Sequence, residues 1–299
     1  MPAIRPPAFW PTLAATVGLL RHPRPGLVEP AALARIERTL AAATLDPAWL
    51  RAYRNIIGLT SERDAALAPL TLQVAAAPLH LGILADPHFP FSALGLVHMS
   101  QSVTQTRAIP AAAPVDLLAY STDARWEKRG MSFCLVTEAR CEGDLVWQAR
   151  TRALAPCQSP GVSPASPTGG SPVEERDSAT LRCEQALQVR ESCGRRYAAI
   201  AGDLNPIHQH ALLARLFGYP RAIVHGTWTL ARALVMADLP SHAAFSLSAR
   251  FRRPVALPSV VRVRAWTQQV QHQHRIEVTS PDGATTYLGI ELTDSPSPT

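Results

Sequence analysis

Lysine, paired cysteines and long apolar runs are all scarce in this chain of 299 residues. No uninterrupted apolar run approaches the roughly 20 residues that a membrane-spanning helix needs, which argues against an integral helical membrane protein. The stretch Leu13 to Leu20 has only Arg5 before it and no small-residue cleavage site after it, so it does not read as a secretory signal. A cytoplasmic protein is expected. The five cysteines, Cys134, Cys141, Cys157, Cys183 and Cys193, include no CxxC pair, and an odd count argues against a closed disulfide framework. Lys128 stands alone as a lysine among 29 basic residues. The arginines are dispersed and accompany no RNA- or DNA-binding motif, so no nucleic-acid partner is expected. A net charge of +6 still favours an anionic ligand, such as the phosphates of coenzyme A or an acidic carrier protein.

What is present is enough apolar material for two domains of ordinary size, with 47% hydrophobic and 17% charged residues. One composition break stands out at residues 156–180, PCQSPGVSPASPTGGSPVEERDSAT, which is rich in Pro, Ser and Gly and has no apolar periodicity. It divides the chain into an amino-terminal domain over 1–155, a linker over 156–180 and a carboxy-terminal domain over 181–299. In the second half a helix-like run begins at Gly226, and strand-like stretches follow at Ser259 to Gln268, His272 to Ser280 and Thr285 to Leu292. The last two flank Pro281-Asp282-Gly283-Ala284, a hairpin signal. In the first half Val115 to Ser121, Met131 to Arg140 and Leu145 to Leu154 read as strands. The likeness of Val97-His98 to Val224-His225 predicts a matching helix start there. A helix is also predicted after Pro30, with Leu33, Ile36 and Leu40 on one face, as an amino-terminal helical extension. The expected class is α+β, an antiparallel sheet wrapped around a central helix, written twice.

The stretch that carries chemistry runs from Tyr197 through Gly202-Asp203-Leu204-Asn205-Pro206-Ile207-His208, followed by Ile223-Val224-His225-Gly226-Thr227. Asn205-Pro206 favours a turn, so the backbone can fold Asp203 and His208 together. A carboxylate and an imidazole that reach one water can share general acid and base work on it. The same residues also make a good structural turn, with Asp203 capping the helix that follows and Asn205 holding the bend.

This segment, YAAIAGDLNPIH followed by IVHGTW, resembles the signature of MaoC-like, or type 2, enoyl-CoA hydratases and 3-hydroxyacyl-thioester dehydratases. Ala249-Arg250-Phe251-Arg252-Arg253-Pro254-Val255 is similar to the Phe-x-x-Pro-Val strand of the same family, though Leu257-Pro258-Ser259 stands where members commonly have Gly-Asp. The resemblance spans most of residues 185–292. It implies a double hotdog fold, with Asp203 and His208 as the catalytic pair and Asn205 as the third polar member. It further implies that the Gly226 N–H, at a helix amino terminus, faces the thioester oxygen. His225 is expected to pack at that helix start. The implied activity is that of a hydro-lyase of fatty acid metabolism, converting trans-2-enoyl thioesters of coenzyme A or acyl carrier protein to (R)-3-hydroxyacyl thioesters, without a further cofactor or metal. Pro78-Leu79-His80 and Phe89 to His98 resemble the amino-terminal hotdog of two-domain members, which is usually catalytically silent.

A thioesterase of the same fold and a non-catalytic acyl-thioester-binding subunit are the alternatives. The complete Asp-x-Asn-Pro-x-His motif weighs against both. His208-Gln209-His210 and His272-Gln273-His274 have metal-like spacing but no acidic or cysteine partner near in sequence, and His272 and His274 are expected on a half-exposed strand. A second dyad of Asp86 and His98 is conceivable. Arg195, Arg196, Arg215, Arg221, Arg252 and Arg253 are candidates for phosphate contacts. The sequence leaves monomer and homodimer equally open.

Overall fold

A computed structural model describes residues 3–4, 29–30, 33, 35–59, 66–157, 179–238, 244–268 and 272–295. The Leu13 to Leu20 stretch and nearly all of the expected linker lie outside the described residues.

Each half repeats one order of elements. The first half contains β1 (Ala3–Ile4), β2 (Glu37–Leu45), α1 (Pro47–Ile57), α2 (Thr71–Ala75), α3 (Ala77–Leu84), β3 (Val97–Gln105), β4 (Val115–Glu127), β5 (Gly130–Cys141) and β6 (Asp144–Pro156). In the second half are β7 (Thr180–Val189), α4 (Cys193–Ala201), α5 (Ala211–Arg215), α6 (Gly226–Ala237), β8 (Ala244–Phe251), β9 (Ser259–Gln268), β10 (Gln273–Thr279) and β11 (Thr286–Ser295). All the strands form one sheet in the order β1-β2-β4-β5-β6-β3-β8-β11-β10-β9-β7. Leaving β1 aside, this order is a mirror about the β3–β8 seam, where Ser100 faces Arg250 and Gln105 faces Phe245 across antiparallel strands. Strand β2 corresponds to β7, β3 to β8, and the meander β4-β5-β6 to β9-β10-β11. The α+β architecture, the later strands and the helix at Gly226 all agree with the sequence reading.

Two expectations are overturned. Residues 37–45 form a strand, not part of a helix after Pro30: Arg38 to Leu40 pair with Leu117 to Ala119 of β4. The segment is rich in good helix formers, but propensity is a weak prior that the hydrogen bonds of a sheet edge override. Val97-His98 opens strand β3 instead of a helix. The first-half counterpart of α6 lies upstream in α2 and α3, which divide at Ala76 next to Ala77 and Pro78. Duplication is therefore present in the topology, while the residue match offered for it joins positions that do not correspond.

The central helix α6 buries Trp228, Leu230, Ala231, Ala233, Leu234 and Ala237. It does not rest on its own sheet alone. Helix α1, capped by Asp46 at its start and by left-handed Gly58 at its end, buries Trp49, Tyr53, Ile56 and Ile57 along one face. That face meets the second half, where Trp49 Nε1 donates to Ile200 O at 3.0 Å and Trp228 Nε1 donates to Ile56 O at 3.0 Å. Arg232 donates to Ile57 O at 2.7 Å, so the end of α1 is fixed by a side chain of α6. A side chain at Gly58 would collide with that guanidinium, since an added Cβ falls 1.7 Å from Arg232 Nη1.

Candidate active site

Helix α4 stops at Gly202, whose φ of 74° is the left-handed turn that glycine adopts without penalty. The chain then reverses, and Asp203 Oδ1 accepts the Asn205 N–H at 3.1 Å. Asn205 caps the following 3₁₀ turn, Pro206–His208, by accepting from Ile207 N at 3.3 Å. Its observed work is thus to hold the bend. Gly194 of α4 lets this turn lie close, because an added Cβ would sit 2.2 Å from the His208 carbonyl oxygen. Sequence reasoning did not single out Gly194; its place in the first turn of a helix facing the motif carried no distinctive pattern.

The bend brings Asp203 and His208 together, with Nε2 of His208 3.9 Å from Asp203 Oδ2. That separation is too long for a direct hydrogen bond and suited to one intervening water. His208 Nδ1 lies 2.8 Å from Ile223 O, so the ring donates there and turns its Nε2 toward the carboxylate. His225 stands at the start of α6, as expected, without a side-chain capping bond. Its ring stacks on His208 with centroids 3.6 Å apart, and its Nε2 donates to Asp203 O at 3.1 Å. Tyr197 packs at a tilt against the His225 ring, centroids 5.0 Å apart, and donates to Thr227 Oγ1 at 3.2 Å.

The electrostatics keep Asp203 and His225 apart in charge state. Enclosure by protein opposes ionisation of Asp203, but His225, His208 and the Asn205 N–H more than offset it and hold the carboxyl below its ordinary value. The Asp203 side chain nonetheless stays 53% exposed to the cleft. Burial, with His208 beside it, pushes His225 down to about 3, so it stays neutral. Asp203, His208 and His225 place potential ligand atoms within 4.8 Å of one another. His225 Nε2 also lies within reach of the Asp203 carbonyl oxygen, to which it donates.

The site opens into a cleft of about 370 Å³ between the halves, lined from the second half by Asn205, Gly226, Arg252 and Arg253 among others, and from the first by Gln73, His80 and His98. The Gly226 N–H belongs to the unpaired first turn of α6. An added Cβ there would lie 2.9 Å from the Phe251 ring, so glycine is needed for the packing of that ring. Of the other arginines, Arg195, Arg215 and Arg221 bond backbone carbonyls at 3.1, 3.4 and 3.1 Å.

Asp86 and His98 do not meet as a pair. Asp86 accepts from the His88 N–H and from Arg38 at 2.6 Å, which together hold its carboxyl at about 2. His98 instead crosses the seam, its ring packed at a tilt against Phe251 with centroids 4.4 Å apart, near enough to Asp203 for each to feel the other's charge. The histidine spacings sort differently as well. His210 is exposed and caps α5, and His272 lies in an exposed turn. His274 is buried, not half exposed, with Nε2 3.0 Å from Asp294 and Nδ1 2.9 Å from Thr267. Its acidic partner comes from β11, beyond the reach of local spacing.

Residues 170–287 match the model of the MaoC like domain. The chain is 33% identical over 223 residues to 3-hydroxyacyl-thioester dehydratase X of Mycobacterium tuberculosis, covering 74% of this chain and 76% of that one. It is 25% identical over 232 residues to enoyl-CoA hydratase ChsH3 of the same organism, covering 73% and 78%. The crystal structure of HtdX of Mycobacterium tuberculosis superimposes with a TM-score of 0.71 at 24% identity, over 87% of this chain and all of that one. By sequence over three quarters of its length, and by a duplicated hotdog fold that carries the motif at the cleft, the chain belongs to the MaoC-like dehydratase family.

Proposed function

We propose that this protein is a hydro-lyase that adds water reversibly to trans-2-enoyl thioesters of coenzyme A or acyl carrier protein, giving (R)-3-hydroxyacyl thioesters. The observation that carries this reading is the spacing of Asp203 and His208, 3.9 Å apart at the cleft, with the His208 ring oriented by Ile223 O. A water between them loses a proton to the dyad as its oxygen bonds to C3. The C2–C3 π pair moves toward the thioester carbonyl, and the dyad returns a proton to C2. Charge on the thioester oxygen meets the Gly226 N–H at the amino terminus of α6, where the helix dipole adds to the donor. Asn205 and His225 act through the other two, holding the bend and the carboxylate. The balance needs water alone, so no further cofactor enters. Arg252 and Arg253, both exposed at the cleft, suit the carrier phosphates.

The test follows the enoyl-thioester absorbance when protein meets crotonyl-CoA and longer 2-enoyl-CoAs, with free thiol measured in parallel. The band is expected to disappear without thiol release, and Asp203→Asn and His208→Ala are expected to abolish the change. Thiol release would replace hydration with thioester hydrolysis, and silence at every chain length with normal binding would leave a binding subunit.

A further inference from the structure

The cleft wall given by the first half is not apolar, and its polarity has a direction. Gln101 of β3 is fully buried, and its Nε2 donates to Ser102 O at 3.2 Å. A carbonyl only accepts, so the Gln101 amide is oriented with Oε1 turned the other way. That oxygen accepts the Thr151 hydroxyl at 2.8 Å, from the residue opposite it on β6. Having spent its one proton, Thr151 Oγ1 must accept from Gln73, whose Nε2 lies 3.0 Å away. Gln73 Oε1 is therefore the end of the chain. It belongs to a side chain only 7% exposed, on the cleft wall, and has no hydrogen-bond partner among the described residues.

A buried acceptor without a donor is a liability unless a ligand or water supplies one. Water can serve while the cleft is empty. A saturated acyl chain would displace that water and return nothing, whereas a hydroxyl on the chain would restore the bond. We infer that Gln73 is a specificity-determining residue that selects acyl groups bearing a hydroxyl along the chain, with Thr151 as the residue that positions its amide. The inference rests on the proposed hydration of acyl thioesters and adds the class of acyl group to it.

The experiment compares kcat/KM for one length of trans-2-enoyl-CoA, unsubstituted or carrying a hydroxyl at successive carbons beyond the reacting pair. At one position the wild type is expected to prefer the hydroxylated substrate by about tenfold or more. Gln73→Leu brings that ratio toward parity. Thr151→Val, which frees the amide to present its N–H instead, lowers it partway and keeps the test usable should the first variant fold poorly. Absence of a preference at every position, or a preference unchanged in both variants, overturns the inference. Equal loss on both substrates in Gln73→Leu also overturns it, because the donor is then an amide of the carrier arm. If no enoyl thioester turns over, the hydration reading fails instead, and thermal shifts with saturated and hydroxylated acyl-CoA still report the ratio.

Discussion

The two halves share a frame and differ in what fills it. In the second, residues 202–225 lead from α4 into α6 and hold Asp203, Asn205, His208 and His225; in the first, the equivalent connection between α1 and α2 is the shorter stretch 58–70, without a histidine. The central helix differs too, continuous as α6 and divided at Ala76 in the first half. The half without the motif still reaches the cleft, through Gln73, His80 and His98. One half carries the Asp203–His208 loop, and the other supplies a wall and a buttress for it.

Breaking the asymmetry at its strongest point gives the largest expected effect. Asp203→Asn or His208→Ala should lower kcat by about a thousandfold, the range of general acid–base contributions, as read from enoyl-CoA turnover. The mutual support of the halves is tested next. Trp228→Ala removes a buried indole and its bond to Ile56 O, and should cost about 3–5 kcal/mol in denaturant unfolding, with both halves losing structure together. Independent transitions for the halves would contradict the buttress. Gly194→Ala should push the His208 turn outward and lower kcat about a hundredfold, a loss out of proportion to its change in melting temperature.

A subtler difference is expected with pH. His80 and His98 of the first half resist protonation down to about 4, and His225 down to about 3, against 6.5 in the unfolded chain. Between those values the unfolded chain binds more protons, so stability is full above about 6.5 and falls as pH drops toward 4. Thermal melts from pH 7 to 5 should show this decline, and His98→Gln should make it shallower. Asp203 works in the same sense, but below its ordinary 3.8, outside that window. The smallest effect belongs to Asp86→Asn, which should cost less than about 1 kcal/mol and leave turnover unchanged, since its partners are Arg38 and His88. A large loss of activity there would return a second acid to the mechanism.

Most of the second half was legible in sequence because its signals are local. The Asp203 to His208 bend is set by Gly202, Asn205 and Pro206 within a few residues, and the later strands alternate cleanly up to the Asp-Gly turn. What was not legible depends on distant partners. Glu37 to Leu45 is composed like a helix and becomes a strand only by pairing with β4. Val97-His98 matches Val224-His225 in identity but lies in an extended strand. Nothing near His98 shows that it crosses the seam to Phe251, and nothing near His274 announces Asp294.

The donor chain that ends at Gln73 begins at Ser102 O, a main-chain atom that every residue at that position would supply. Substitutions along it can therefore erase what the cleft recognises, at Gln101, Thr151 or Gln73, but its sense is anchored in the backbone. Loss of Thr151 alone breaks that relay and frees the Gln73 amide to turn, so the backbone sets the sense of the chain only while each side chain along it is kept.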